Sequence, residues 1–308
     1  MTLNPSLDEW IHLPALRIGH LNRASAVARY PGGKGINVSR VIRELGASTI
    51  AFALAGGEDG LILRELMNRL SIRHEFVTIR GSTRNNYKIR TAAPRALTEV
   101  NTAGPTVSSE ALRQLRHRLL RHASALKCLA LSGSLPPGAA ASIYQRWIRA
   151  FRRRGIPTVL DASGPALRLG LAARPWLIKP NREEAEEILQ QRLTRRLALI
   201  KAVRALTAYG PAVVILSLGP EGALMSAAGA EDVWWAHPPA IKTDSAVGAG
   251  DSLVGGFLVG WLRGQALPEA FRLGVACGTA TAMTPGTELC HRADVQRLLP
   301  RVRLRRLA

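Results

Sequence analysis

The chain has 308 residues, and its 42 lysines and arginines outnumber its 22 aspartates and glutamates, which gives a formal net charge of +20. A hydrophobic fraction of 47 % is enough for a large core, and no apolar run reaches the roughly 18 residues that a membrane span needs. Three scattered cysteines lack the CxxC spacing of a zinc or redox site, and the N-terminus lacks a secretory pattern. We therefore expect a cytoplasmic protein without a membrane partner.

The positive charge raises nucleic-acid binding as an alternative function. The arginines are spread over predicted helix faces and the C-terminal tail, and aromatic residues make up only 5 % of the chain and do not alternate with them. A platform for stacking bases is therefore not evident, and we expect no nucleic acid as the main partner. The basic end, residues 301–308, is expected to be frayed.

The first predicted elements lie within residues 1–102. Residues 1–3 read as the end of a strand, which is either short or continues upstream of the given start. The following elements are edge strands within 10–30, a helix from about 36 to 46, a strand at 48–55, a helix to about 70, a strand at 72–79 and a polar hairpin at 84–102. A hairpin buries little alone, so 84–102 and 10–30 would together form a four-stranded lid on the main sheet.

Strands and helices alternate from residue 108 onward. Strands are predicted at 128–132, 158–161, 176–179 and 212–217 and in a hairpin at 222–236. Helices are predicted at 108–123, from after Gly138 to about 153, at 165–173, from Pro180 and Asn181 onward, and at 196–208, 268–283 and 292–299. This rhythm predicts an α/β fold with a mostly parallel central sheet and helices on both faces, plus the small β-sheet lid.

One stretch, residues 241–263, turns at Gly248, Ala249 and Gly250 and then continues as an apolar segment of helical length. Glycines let a backbone come close to a ligand, and a helix N-terminus attracts anions, most often phosphate. Asp251 follows the turn. It either caps the helix, the commoner role of a lone aspartate there, or acts as the base that takes a hydroxyl proton in phosphoryl transfer.

A second glycine-rich loop, residues 31–40, reads Pro-Gly-Gly-Lys-Gly-Ile-Asn-Val-Ser-Arg. An ordinary turn before a helix explains the glycines but not Lys34 and Asn37 beside them. The loop has neither the GxxxxGK[ST] pattern of a Walker A motif nor the GxGxxG pattern of a dinucleotide site.

Both loops resemble the two signatures of the ribokinase-like (PfkB) sugar kinases, Gly-Gly-Lys-Gly-x-Asn and Gly-Ala-Gly-Asp. Further segments match that family in order, at 84–89, 98–101, 131–138, 179–184 and 214–219, so the resemblance covers residues 2 to about 299. It implies a single ribokinase-like domain over 1–308, with ATP and Mg²⁺ as cofactors, and leaves open a homodimer formed through the lid.

The resemblance also implies roles for individual residues. Asp251 would be the catalytic base, and the N–H groups of Gly248, Ala249, Gly250 and Asp251 would form an anion hole. The sugar phosphate would contact Asp8, Gly33, Lys34, Asn37, Arg84, Lys88 and Ser134. The nucleotide side would comprise Lys179, Asn181, Glu184, Ser217, Gly219, Ser245, Val247 and Gly286, with Asn181 and Glu184 holding Mg²⁺ mostly through water.

Within that family the chain resembles the branch that converts sugar phosphates to bisphosphates. Lys34 and Lys88 match the 1-phosphofructokinase pattern, which implies phosphorylation of fructose 1-phosphate to fructose 1,6-bisphosphate; 6-phosphofructokinase and tagatose-6-phosphate kinase remain alternatives. A dianionic phosphate suits converging cations, which Arg84, Lys88 and Lys34 can supply, although Lys88 alone reads equally as a solvated strand lysine.

Three positions depart from the family pattern. Ala246 replaces the usual Thr, and Glu288 and Thr284 stand where the minor 6-phosphofructokinase pattern has Arg and Asn near adenine. A catalytically silent sugar-phosphate sensor is the alternative from another class, but Asp251 and Glu184, which such a protein could lose, are both present.

Overall fold

The computed structural model describes residues 1–307 as strands and helices that alternate along most of the chain. The strands are β1 Ser6–Leu13, β2 Ala26–Gly32, β3 Ile50–Ala55, β4 Arg73–Thr78, β5 Arg84–Thr91, β6 Ala96–Asn101, β7 Leu129–Ser132, β8 Thr158–Asp161, β9 Leu177–Ile178, β10 Val213–Ser217, β11 Ala223–Ala227, β12 Val233–His237 and β13 Arg303–Leu307. The helices are α1 Lys34–Glu44, α2 Gly57–Arg69, α3 Ser109–Arg121, α4 Ile143–Arg152, α5 Gly164–Leu171, α6 Arg182–Leu189, α7 Arg196–Ala208, α8 Ala249–Leu262, α9 Leu267–Met283 and α10 Arg292–Leu298. Across residues 1–307, no helix combines the length and the apolar character needed to cross a bilayer.

The central sheet has seven strands in the order β13-β12-β11-β10-β9-β8-β7. Strands β7 to β10 are parallel, whereas β11, β12 and β13 pair antiparallel at one edge. Successive side chains of β10 enter opposite cores: Val213 and Ile215 pack with α1, α8 and α9, and Val214 and Leu216 pack with α3 to α7. The predicted α/β sheet with helices on both faces is confirmed, with three antiparallel strands at its edge.

Residues 1–3 join the β3-β4 pair to this sheet. The Thr2 N–H donates to the Phe52 carbonyl at 2.9 Å, and the Met1 carbonyl accepts from the Ser132 N–H at 3.1 Å. The segment therefore lies between β3 and β7, where it acts as a short connecting strand.

A separate four-stranded sheet, which we call the lid, has the order β2-β1-β5-β6. The prediction of edge strands within 10–30 holds for β2, which lies at the edge of the lid, and is wrong for residues 10–13. Those residues belong to β1, which begins at Ser6, ends at Leu13 and lies inside the lid between β2 and β5. Asp8 lies opposite Asn86, and Trp10 lies opposite Lys88. Because alternate residues of a strand share a face, these four side chains lie on one side of the lid.

The basic C-terminal segment is a strand rather than a frayed end. Strand β13 pairs with β12 along its whole length, and Leu307 is buried in the core beside α7. The arginines of this segment look like those of a solvated tail, so the sequence alone gives no strand signal. The strand forms because the edge of β12 is free to pair with it.

Helix α8 is held in the middle of the α-helical layer. A Cβ at Gly255 would lie 2.8 Å from Val41 Cβ of α1, and one at Gly256 would lie 2.5 Å from Cys277 Sγ of α9. Glycine at both positions lets α8 pack closely on two helices. This packing fixes the N-terminus of α8, and with it Asp251, relative to α1.

Candidate active site

The turn before α8 depends on Gly248. Its φ of 80° lies in the left-handed region, and a Cβ there would lie 2.7 Å from Leu289 Cδ2. The Ala249 N–H donates to the Ala246 carbonyl at 3.2 Å, so it is already used within the turn. The N–H groups of Gly248, Gly250 and Asp251 have no such carbonyl partner within residues 1–307. Of the four predicted anion-hole N–H groups, these three are therefore the ones best suited to bind an anion.

Asp251 is the third residue of α8 and does not cap it. The cap position is Gly248, and no side chain makes a capping hydrogen bond there. The Asp251 side chain is buried, and its Oδ2 accepts a hydrogen bond from Asn37 Nδ2 of α1 at 2.8 Å. The structure thus links the two glycine-rich loops through one carboxylate–amide contact.

The surroundings of Asp251 raise its pKa to about 7. Burial is the main cause and the nearby Asp161 adds to it, whereas Lys34, Asn37 and Lys179 act in the opposite direction. A carboxylate with a pKa near neutrality is well matched to accepting a proton, since a general base works best when its pKa is close to the working pH.

Asp161, at the carboxyl end of β8, is a site residue that the sequence analysis missed. Its side chain is fully buried, Oδ1 accepts from Lys34 Nζ at 2.9 Å and lies 3.5 Å from Lys179 Nζ, and Oδ2 has no partner within residues 1–307. Burial opposes its ionisation, but the two lysines hold the pKa of Asp161 below its ordinary value. The carboxyl ends of parallel strands are where α/β sheets bind ligands, which was the available signal.

Lys34 and Lys179 are two cations placed around this carboxylate. Lys34 keeps 37 % of its side chain exposed, and its pKa lies above the ordinary value because Asp161, Asp251 and Glu184 together outweigh the effect of burial. Lys179 is buried, and a Cβ at Gly250 would lie 3.3 Å from its Nζ. Both cations therefore lie near the start of α8, where they would reinforce an anion site.

The predicted sugar-side residue Asp8 is held by several neighbours in the lid. Asp8 Oδ1 accepts from Ser6 Oγ at 3.0 Å and from Asn86 Nδ2 at 3.1 Å. Gly32 passes directly beside this carboxylate, since a Cβ there would lie 2.4 Å from Asp8 Oδ1. Gly33 follows with a φ of 109° and starts α1. The Asp8 carboxylate is thus fixed in place beside the loop that carries Lys34.

The remaining predicted sugar-phosphate residues each have a partner of their own. The Arg84 guanidinium donates to the carbonyls of Asn4 and Thr102, both at 3.1 Å, and Ser134 Oγ accepts from Asn4 Nδ2 at 3.3 Å. Lys88 Nζ pairs with Glu99 Oε2 at 2.7 Å while only 4 % of its side chain is exposed. Arg84 and Lys88 would therefore have to exchange these partners to contact a phosphate.

Asn181 and Glu184 form a reciprocal cap at the start of α6. Asn181 Oδ1 accepts from the Glu184 N–H at 2.7 Å, and Glu184 Oε2 accepts from the Asn181 N–H at 2.9 Å. No cluster of three or more His, Cys, Asp or Glu side chains suited to a metal occurs in residues 1–307. The pair leaves one carboxylate oxygen of Glu184 for a cation, which fits a Mg²⁺ ion held mainly through water.

Other predicted nucleotide-side residues lie in turns. The Ser217 N–H donates to the Pro180 carbonyl at 3.0 Å, next to Asn181, and Ser245 Oγ accepts from the Val247 N–H at 3.3 Å. Gly219 and Gly286 have positive φ values of 59° and 67°, and Gly286 lies against Tyr30. Ser217, Lys179 and Asn181 thus meet at the carboxyl edge of the central sheet.

Comparison with known proteins identifies the family. The model of the pfkB family of carbohydrate kinases matches residues 1–294. The chain belongs to this family. It is 36 % identical to the 1-phosphofructokinase of Bacillus subtilis (strain 168) over 307 residues, which covers 100 % of this chain and 99 % of the relative. It is 35 % identical to the ATP-dependent 6-phosphofructokinase isozyme 2 of Escherichia coli (strain K12), over 97 % of this chain and 96 % of that protein.

A solved structure supports the fold assignment. Phosphofructokinase-2 from Escherichia coli, in complex with potassium, superposes with a TM-score of 0.92 at 33 % identity, over 97 % of each chain. The ribokinase-like fold is confirmed, and membership of the pfkB family makes this chain a phosphotransferase that acts on a sugar hydroxyl.

Proposed function

We propose that this pfkB kinase transfers the γ-phosphoryl group of ATP to the 6-hydroxyl of fructose 1-phosphate, giving ADP and fructose 1,6-bisphosphate. The observation that carries the proposal is Asp251, a buried carboxylate with a pKa of about 7 at the N-terminus of α8, held by Asn37 of the sugar-side loop. Both parts of a phosphoryl-transfer site, a base and an anion-binding helix end, thus meet at one point.

In the proposed reaction, Asp251 accepts the proton of the sugar hydroxyl while that oxygen forms a bond to the γ-phosphorus. The bond from phosphorus to the bridging oxygen breaks, and ADP leaves with the electron pair. The N–H groups of Gly250 and Asp251, together with Lys34 and Lys179, would stabilise the charge on the transferring group. Because these groups are fixed before the substrate arrives, little reorganisation is needed during transfer.

The nucleotide would lie along the carboxyl edge of the sheet. Asn181 and Glu184 are placed to hold Mg²⁺ through water, and the ion would neutralise phosphate charge when bound. Ser217, Gly219, Ser245, Val247 and Gly286 supply the turns around this edge. The role of each is supported by its place in the family motifs and by the geometry above.

The substrate choice rests on the lid and on the curated relatives. Lys88 is a nearly buried ammonium on the face of the lid that carries Asp8, and it has a single carboxylate partner, Glu99. A bound sugar phosphate would compete with Glu99 for this ammonium, since a phosphate offers more charge and more acceptor oxygens than a carboxylate. The 36 % identical Bacillus subtilis relative is a 1-phosphofructokinase.

A 6-phosphofructokinase activity is the second candidate, because the relative from Escherichia coli with 35 % identity carries that name. The two activities are separated by measuring ADP release with fructose 1-phosphate, fructose 6-phosphate and tagatose 6-phosphate in parallel. We expect the highest kcat/KM for fructose 1-phosphate. A clear preference for either 6-phosphate would refute the substrate assignment and leave the kinase family intact.

The lid also suggests a homodimer. All six residues of β6 are exposed, and Val27, Leu97 and Val100 place apolar side chains on the lid surface. A structure of the Escherichia coli relative shows a tetrameric inhibited form of that protein. Light scattering on the wild type and on Val100→Asp would test the dimer, and an unchanged mass in the variant would argue against the lid as the interface. We place the enzyme in the cytoplasm, with its metabolite substrates.

A further inference from the structure

Arg40 is a half-buried cation of α1 that has no part in the reaction described above. It lies one turn after Asn37, and its guanidinium donates three hydrogen bonds. The acceptors are Asn37 Oδ1 at 3.2 Å, the Pro31 carbonyl at 3.1 Å and the Thr287 carbonyl at 3.0 Å. One side chain thus contacts the sugar-side loop, the partner of Asp251 and the segment that follows α9.

These contacts determine which way the Asn37 amide faces. A guanidinium only donates hydrogen bonds, so the atom of Asn37 that it contacts must be the oxygen. The NH₂ group of Asn37 is then the part that faces Asp251 Oδ2, at 2.8 Å. Without Arg40, only the repulsion between the amide oxygen and the ionised Asp251 carboxylate would keep the NH₂ group facing Oδ2, and the far side of the amide would lose the donor that holds its oxygen.

Arg40 keeps its positive charge at neutral pH. Burial lowers the pKa of Arg40 to about 10, while Asp8, Tyr30, Glu288 and Cys290 act in the opposite direction. The guanidinium is therefore protonated throughout the neutral range.

Thr287 also ties the lid to this point. Trp10 of β1 donates its indole N–H to Thr287 Oγ1 at 3.2 Å, while Arg40 holds the carbonyl of the same residue. A displacement of Thr287 would therefore shift the Arg40 guanidinium, and through Asn37 it would alter the hydrogen bond to the Asp251 carboxylate.

We propose that Arg40 is a positioning residue, which locks the Asn37 amide so that its NH₂ group holds the Asp251 carboxylate for proton acceptance. The inference rests on the proposed phosphoryl transfer, in which Asp251 is the base. Arg40 itself contacts no reacting atom in this account and acts only through Asn37.

The first test is the titration of Asp251 itself, which needs no turnover. The midpoint is read from the ¹³C resonance of the side-chain carboxyl in aspartate-labelled protein, assigned with Asp251→Asn. The other charged groups near this carboxylate are Lys34, Asp161 and Lys179, and none of them is altered in the variants used. We expect Arg40→Met to raise the midpoint by about 0.5–1 pH unit, roughly half of the one to two units that a whole hydrogen bond to the charged form is worth, because the Asn37 amide is loosened and not removed.

A double-variant cycle shows whether Arg40 acts through Asn37. In an Asn37→Ala background the amide is gone, so Arg40→Met should move the midpoint no further. Arg43→Met is the matched control, because Arg43 is an exposed arginine on the same helix, and we expect the wild-type midpoint there. Arg40→Lys keeps the charge and a single donor nitrogen, and its shift should be smaller than that of Arg40→Met.

The second test is the pH profile of kcat/KM with fructose 1-phosphate. With the midpoint raised as expected, Arg40→Met should lose about three- to six-fold more activity at pH 6.5 than at pH 8.5, relative to wild type. A loss of equal size at every pH, an unmoved Asp251 midpoint, or the same shift in the Asn37→Ala background would each overturn the proposal. A wild type without turnover on any sugar phosphate would instead refute the proposed function, while the carboxyl titration would still decide the role of Arg40.

Discussion

Replacing Asp251 with asparagine separates chemistry from structure at the centre of this site. The change keeps the size of the side chain and removes only its capacity to accept a proton. Asn37 presents its NH₂ group to this position, so an asparagine at 251 would meet it with its own oxygen and turn its NH₂ group toward the reacting hydroxyl. We expect kcat to fall by ~10²–10⁴-fold, the usual contribution of a general base.

The same substitution should not weaken the fold. Burial raises the pKa of Asp251 from 3.8 to about 7, so between these values the folded protein binds a proton that the unfolded chain has lost. The contribution of Asp251 to stability therefore falls as pH rises through this window and stays low above it. A neutral asparagine avoids this cost, and we expect the Tm of Asp251→Asn at pH 8 to equal or exceed that of the wild type.

The assay combines three measurements at pH 8: turnover by coupled ADP release, ATP affinity by calorimetry, and Tm by scanning calorimetry. ATP binding should persist, because backbone N–H groups and lysines provide the anion site. Glu110→Gln, an exposed acid in the first turn of α3, is the matched control and should behave as wild type. Full turnover in Asp251→Asn, or a loss of turnover accompanied by a lower Tm, would refute the role assigned to the carboxylate.

Four further variants test the lid and the edge of the sheet. Lys88→Met and Arg84→Ala should each lower kcat/KM for the sugar phosphate by about 10- to 150-fold, mostly by raising KM, because each removes one charge-assisted contact. An unchanged KM in both variants would show that these residues do not bind substrate. Arg90→Gln removes the bond from β5 to Asp244 Oδ1, measured at 2.7 Å, so we expect a looser lid and faster ATP hydrolysis in the absence of sugar, and an unchanged hydrolysis rate would contradict this. Leu307→Asp places a charge in a buried position of β13 and should lower Tm by several degrees, whereas an unaltered melting curve would mean that the strand contributes nothing to stability.

The sequence predicts those parts of the site that are local in the chain. Gly248 and Asp251 are three residues apart, and one turn of backbone brings them together, so their pattern alone indicates an anion site beside a carboxylate. The cap between Asn181 and Glu184 is equally local, because an asparagine followed three residues later by a glutamate is the sequence pattern of such a cap. Most helices and strands follow from hydrophobic periodicity for the same reason.

Contacts between distant segments could not be predicted in this way. Asp161 meets Lys34 across 127 positions, Arg40 meets Thr287 across 247, and Arg90 meets Asp244 across 154. No periodicity connects such pairs, because only the order of strands and helices in the fold decides which ends meet. Strand β13 escaped prediction similarly, since it forms only because β12 offers a free edge.

The ion pair between Lys88 and Glu99 is compatible with the proposed binding of a substrate phosphate by Lys88. Glu99 lies directly across from Lys88 in the lid and keeps the nearly buried ammonium paired, which avoids the large cost of an isolated buried charge. Glu99 itself remains 39 % exposed, so its carboxylate is easily hydrated if the ammonium turns to another anion. A substrate phosphate that takes over the ammonium would leave no unpaired buried charge behind. If Lys88 has the proposed role in substrate binding, the pair would favour phosphorylated sugars over neutral ones, because only an anionic substrate can replace the bond that Glu99 gives up.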